Sequence, residues 1–126
     1  MDIKTVRRRA LLAAAIVIGI MATATPAYAD ATIRTCTITL LWGTSCTTGT
    51  VLPNSGTHSV NWEVDTVYCT AHWQVIDAQN GVQVGSGNVG QDERRSSTIV
   101  GLYSPVGYYL RVSNSCYATY GKISNP

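Results

Sequence analysis

The chain has little charge. Asp, Glu, Lys and Arg make up 13% of it, and nine Lys and Arg face seven Asp and Glu. Four of the bases, Lys4, Arg7, Arg8 and Arg9, sit at the very start. From residue 30 onward only Arg34, Arg94, Arg95, Arg111 and Lys122 remain, against Asp30, Glu63, Asp65, Asp77, Asp92 and Glu93. The nominal +2 of the whole chain thus becomes −1 for residues 30–126. A nucleic-acid ligand needs a basic stripe, and this part has none. Its single lysine also excludes electrostatic attachment to an anionic membrane. Closely spaced cysteine pairs are missing, which argues against a metal site. Nothing like G-x-S-x-G marks a nucleophile. No segment holds a helical period, and no second long apolar run follows the first.

What is present begins with that first run. A cationic head, the apolar stretch from Leu11 to Ile20, and Ala27-Tyr28-Ala29 form the three-part layout of a secretory signal peptide. We expect residues 1–29 to be removed on export from a bacterium, and residues 30–126 to act outside the cell as one domain. Cys36, Cys46, Cys69 and Cys116 all fall in that domain. An even count in a secreted chain reads as two disulfides. Three pairings are possible. Cys36–Cys46 with Cys69–Cys116 is preferred, because the first pair flanks a short turn and the second joins the middle of the domain to its end.

Residues 30–126 alternate with a period of two and are rich in Thr, Val, Tyr and Trp, which suit pleated surfaces. Strands are expected at 33–42, 46–51, 58–64, 67–76, 82–84, 98–103, 108–113 and 117–123. In the first, Cys36, Ile38, Leu40 and Trp42 would share the inner face, with Cys46 to Val51 pairing back on it. Asn80-Gly81 is the strongest hairpin signal, since both residues accept positive φ. Gly85, Gly87 and Gly90 suggest an irregular edge, and Gln91 to Ser97 a charged loop. The expected fold is all-β: a small antiparallel β-sandwich of seven or eight strands with two disulfides. The layout resembles that of the small secreted amylase inhibitors of the tendamistat type. Their Trp-Arg-Tyr triplet is absent and the cysteine spacing differs, so the resemblance is one of architecture and implies no residue roles.

Catalytic groups are sparse. His72 and Asp77 could join a serine on paper, but such a triad is spatial, and His72 and His58 read as exposed polar residues. Glu63 and Asp65 share one strand face at a spacing a carboxylate pair could use, yet acids near a strand end usually face water. Asp77 and Asn80 are explained by the hairpin rather than by a calcium loop. We expect no metal and no cofactor.

The aromatic residues divide. Trp42, Trp62 and Trp73 are in phase with apolar neighbours and are expected in the core. Tyr68, Tyr109 and Tyr117 are out of phase, and an outward tyrosine patch would make a binding face. The plainer alternative is cross-strand pairing. Arg94-Arg95 would add a contact in an exposed loop, or simply keep apolar strands apart. The function these features suggest is a secreted, monomeric binding protein with an extracellular protein or glycan partner, an enzyme inhibitor being one form. A secreted toxin or antimicrobial protein, and a small secreted hydrolase, are the alternatives.

Overall fold

Alternation is cleanest in residues 60–65, where Val60, Trp62 and Val64 are buried and Asn61, Glu63 and Asp65 are not. Such a segment must cover its apolar face with a second layer. A computed structural model, which describes residues 32–103 and 105–125, shows how. Eight strands form two four-stranded sheets: β1 (Ile33–Thr37), β2 (Cys46–Thr47), β3 (Val60–Asp65), β4 (Ala71–Asp77), β5 (Gln83–Val89), β6 (Arg94–Ile99), β7 (Tyr108–Ser113) and β8 (Tyr120–Ser124). One sheet has the order β1-β8-β3-β6 and the other β2-β7-β4-β5, and every pairing is antiparallel. No helix occurs among the described residues. The fold is the expected all-β sandwich. The signal-peptide expectation for residues 1–29 lies outside the described residues.

Only β4–β5 is a hairpin within one sheet; every other connection crosses from one sheet to the other. The hairpin turns at the expected Asn-Gly, but Asn80 itself does not take positive φ. Gly81 has φ 74°, and the Asp77 carboxylate accepts the amides of Gln79 (2.8 Å) and Asn80 (3.3 Å). Between the layers lie Val60, Val64 and Ile123 from one sheet and Val75, Leu110 and Val112 from the other, all fully buried. Trp62 and Trp73 stack across the middle with ring centroids 3.8 Å apart. β5 is an edge strand, and its register with β4 shifts next to Gly85, as the irregular edge predicts, although the strand itself is continuous. Gly85 and Gly87 also make room, since a Cβ on Gly87 would meet Trp73 Nε1 at 2.8 Å and one on Gly85 would meet Ile99 Cδ1 at 2.6 Å.

Both preferred disulfides are present, Cys36–Cys46 and Cys69–Cys116. The first joins β1 to β2 across the two sheets at one edge. The second ties the β3–β4 connection to the β7–β8 connection.

Four expectations need correction. The first strand stops at Thr37, and residues 46–51 do not pair with it. Cys46–Thr47 pair instead with β7 in the opposite sheet, because the chain crosses between layers there. Trp42 is therefore not in the core. Val67, expected to open the 67–76 strand on the same face as Trp73, is exposed as well, because Thr66 ends β3 by accepting the Glu93 amide (3.0 Å) and the chain then crosses to the other sheet. Finally, Arg94 and Arg95 are not in a loop. They open β6, whose register sets Arg94 opposite Asp65 and Arg95 opposite Val64.

Candidate functional site

Strand directions collect four connections at one end of the sandwich: residues 38–45, 66–70, 90–93 and 114–119. The first is the most unusual. The Gly43 amide donates to the Leu40 carbonyl (2.9 Å), closing a β-turn with Leu41 and Trp42 at its corners. Gly43 suits this turn because a Cβ there would meet Ile38 Cγ2 at 2.9 Å. Leu40, Leu41 and Trp42 are 62%, 73% and 83% exposed. The turn is nonetheless well anchored. Cys36–Cys46 closes its base, Ile38 exchanges backbone hydrogen bonds with Ala118 and Thr119, and the Ser115 amide donates to the Thr44 carbonyl (3.0 Å).

Beside this turn stand Tyr68 and Tyr117. Each belongs to a connection carrying one half of the Cys69–Cys116 bridge, so the disulfide brings them together with centroids 6.4 Å apart. Both are exposed, as is Val67. The connections 38–45, 66–70 and 114–119 contain no charged side chain at all. The result is a convex, neutral, apolar-aromatic surface on a cross-linked frame.

A cleft of about 510 Å³ opens at the same end, between the start of β4, the end of β5 and the start of β6. Its polar side chains are Thr70, His72, Asn88, Glu93, Arg95 and Asn114. Several are pre-positioned. The Glu93 carboxylate accepts the Gly90 amide (2.6 Å) and Arg95 Nε (2.6 Å). Those bonds, from Arg95 first and Gly90 second, hold its carboxyl below the usual carboxylate range. His72 Nδ1 and Asn88 Oδ1 are 3.0 Å apart. Backbone strain gathers here as well. Of the four non-glycine residues with positive φ among the described residues, Asp92 (51°), Asn114 (50°) and Ala118 (71°) lie at this end. Such strain concentrates at functional sites.

The residues singled out from sequence do not form one face. Tyr68, Tyr117 and Arg95 lie at this end, the two tyrosines stacked on each other and Arg95 lining the cleft. Tyr109 does not. It is half-buried, opposite Ile76, at the far end of β7. Arg94 points to the outer face of its sheet and pairs with Glu63 (2.8 Å), which also holds Lys122 (3.2 Å). Burial raises the Glu63 carboxyl, but the hydrogen bonds from Arg94 and Lys122 outweigh it and leave the group below its ordinary value. Adjacent arginines thus serve opposite faces, as the two-residue pleat requires. His72 and Asp77 occupy opposite ends of β4, and Asp77 is committed to the hairpin. Among the described residues no group of three or more His, Cys, Asp or Glu could hold a metal.

The sequence reading missed Leu40, Leu41 and Trp42. A signal was available: three consecutive apolar residues cannot all face inward on a strand. Comparison with protein-family models, curated proteins and solved structures finds no match to this chain.

Proposed function

We propose that the chain is a secreted binding protein that engages an extracellular protein or glycan through its cross-linked loop end. The observation that carries this reading is the Leu40–Trp42 turn. A soluble domain has every reason to bury such residues, since full burial of one is worth about 1.5–3 kcal/mol. Here a disulfide and backbone hydrogen bonds hold them outward instead. Rigid presentation limits the ordering entropy lost on binding. Trp and Tyr are also the side chains that most often anchor interfaces. A convex, stiff turn suits insertion into a concave partner site, which is the geometry of an inhibitor. The expected export fits the reading: the signal-like start and the disulfides suit an oxidising compartment, and no helix among the described residues is long and apolar enough to cross a membrane.

Affinity capture from the extracellular medium, run in parallel with the wild-type protein and a Leu41→Ser/Tyr117→Ser variant, tests the proposal. A partner retained by the wild type and lost by a variant of equal thermal stability is the expected result. Equal retention by both proteins would refute it.

A further inference from the structure

The cleft next to Arg95 differs from the convex turn, because it combines two hydrogen-bonded pairs, Glu93–Arg95 and His72–Asn88, with polar groups left open to a ligand. Glu93 and Arg95 cancel in charge, so the cleft offers no net field to an ion. Glu93 is spent on Gly90 and on Arg95 Nε. The two terminal nitrogens of Arg95 have no hydrogen-bond partner among the described residues. The same holds for the Thr70 hydroxyl, the Asn114 amide and the second ring nitrogen of His72. These groups mix donors with acceptors in one small space. Such a set suits hydroxyl groups, each of which donates and accepts, better than it suits a carboxylate or phosphate, which only accepts. Planar guanidinium and amide groups can address two neighbouring hydroxyls at once. The volume of about 510 Å³ lies within the usual small-ligand range of about 300–1,000 Å³. The stacked Tyr68 and Tyr117 stand at the same end, on the side reached through Thr70 and Cys69.

We infer that this cleft is a binding site for an uncharged sugar unit of an extracellular glycan. The inference rests on the proposed binding role of the loop end and names its partner class. Its test is a titration of the ¹⁵N-labelled, disulfide-bonded protein with maltotriose, cellotriose and chitotriose, read at the side-chain N–H signals of Arg95, Asn88 and Asn114. Trigalacturonate serves as the anionic arm. A saturable shift with at least one neutral trisaccharide is expected, with dissociation constants in the micromolar to millimolar range. Arg95→Met and Asn88→Ala should each weaken it about tenfold or more without changing the thermal midpoint. Absence of shifts with all three neutral sugars would overturn the inference. So would a response to trigalacturonate alone, or unchanged affinity in both variants. Failure here is separable from failure of the binding role, because partner capture that depends on Leu41 and Tyr117 reads the convex turn and not the cleft.

Discussion

The two ends of the sandwich solve the same problem differently. At the end that joins β2 to β3, β4 to β5 and β6 to β7, local turn chemistry works together with backbone bonds between connections, Leu102 N–H to the His58 carbonyl (2.9 Å) and Ala78 N–H to the Gly107 carbonyl (2.8 Å). The Asp77 carboxylate accepts two amides, Asn54 Oδ1 accepts those of Gly56 (2.8 Å) and Thr57 (3.1 Å), and Gly101 takes φ 73°. Val51, Leu102 and Val106 plug that end with buried side chains. The opposite end closes with two disulfides, long-range backbone bonds and three strained residues, and still leaves Leu40, Leu41, Trp42, Tyr68 and Tyr117 in solvent. The first end also exposes apolar side chains, Leu52, Val82, Val100 and Tyr103, but spreads them over three connections. The second gathers three consecutive ones in a single disulfide-closed turn, together with a stacked tyrosine pair. That asymmetry is the reason to place function at the cross-linked end.

Removing the long-range bridge should cause the largest change. With a sequence separation of 47, Cys69–Cys116 is worth about 4 kcal/mol by the loop-entropy model. Denaturant unfolding of a Cys69→Ser/Cys116→Ser variant should show that loss, and should separate Tyr68 from Tyr117. Cys36–Cys46, spanning 10 residues, is worth about 3 kcal/mol by the same model. Its replacement by serines should also direct limited proteolysis to residues 38–45, whereas the uncross-linked end stays resistant. If cleavage moved to the other end first, the contrast between them would fail.

Smaller effects sharpen the comparison. Asp77→Ala removes turn bonds at the uncross-linked end and should cost about 1 kcal/mol in thermal or denaturant unfolding. Glu63→Gln probes the ion pairs on the sheet face between the ends. Because the folded Glu63 carboxyl lies below its unfolded value, its contribution exists above about pH 4.5 and vanishes as pH falls through the lowered folded value. The variant should therefore be about 1 kcal/mol less stable at pH 7 and equal to the wild type near pH 2. Ala118→Gly relieves a left-handed alanine and should gain about 0.5–1 kcal/mol. Lost binding alongside that gain would tie the strain at Ala118 to function.

Much of the fold was legible in the sequence. Tyr108–Ser113 was read to the residue, because Tyr108, Leu110 and Val112 alternate strictly and a turn precedes them. Asn80-Gly81 marked the one hairpin, and the disulfide pairing followed from loop geometry. Less was legible where the chain changes sheets. Trp42 is in phase with Cys36 and Ile38 and so looked buried. Phase says nothing once a turn intervenes, and the turn at Leu40–Gly43 depends on a close approach of Gly43 to Ile38. Arg94 and Arg95 looked like a loop because charge is scarce elsewhere, yet an edge strand tolerates charge and benefits from it. The candidate site was only partly visible for the same reason. Tyr68 and Tyr117 could be flagged from phase. That they would meet each other, at the same end as Asn88, Glu93, Arg95 and Asn114, depends on crossings between layers that no local pattern encodes.

The central claim is that binding belongs to one end of the sandwich. Trp42 and Tyr103 offer matched tests, being 83% and 70% exposed at opposite ends. Each would be replaced by Asp, and both variants compared with the wild type for partner capture at equal concentration. Loss of capture with Trp42→Asp and retention with Tyr103→Asp is the predicted result. Retention with Trp42→Asp and loss with Tyr103→Asp would contradict it.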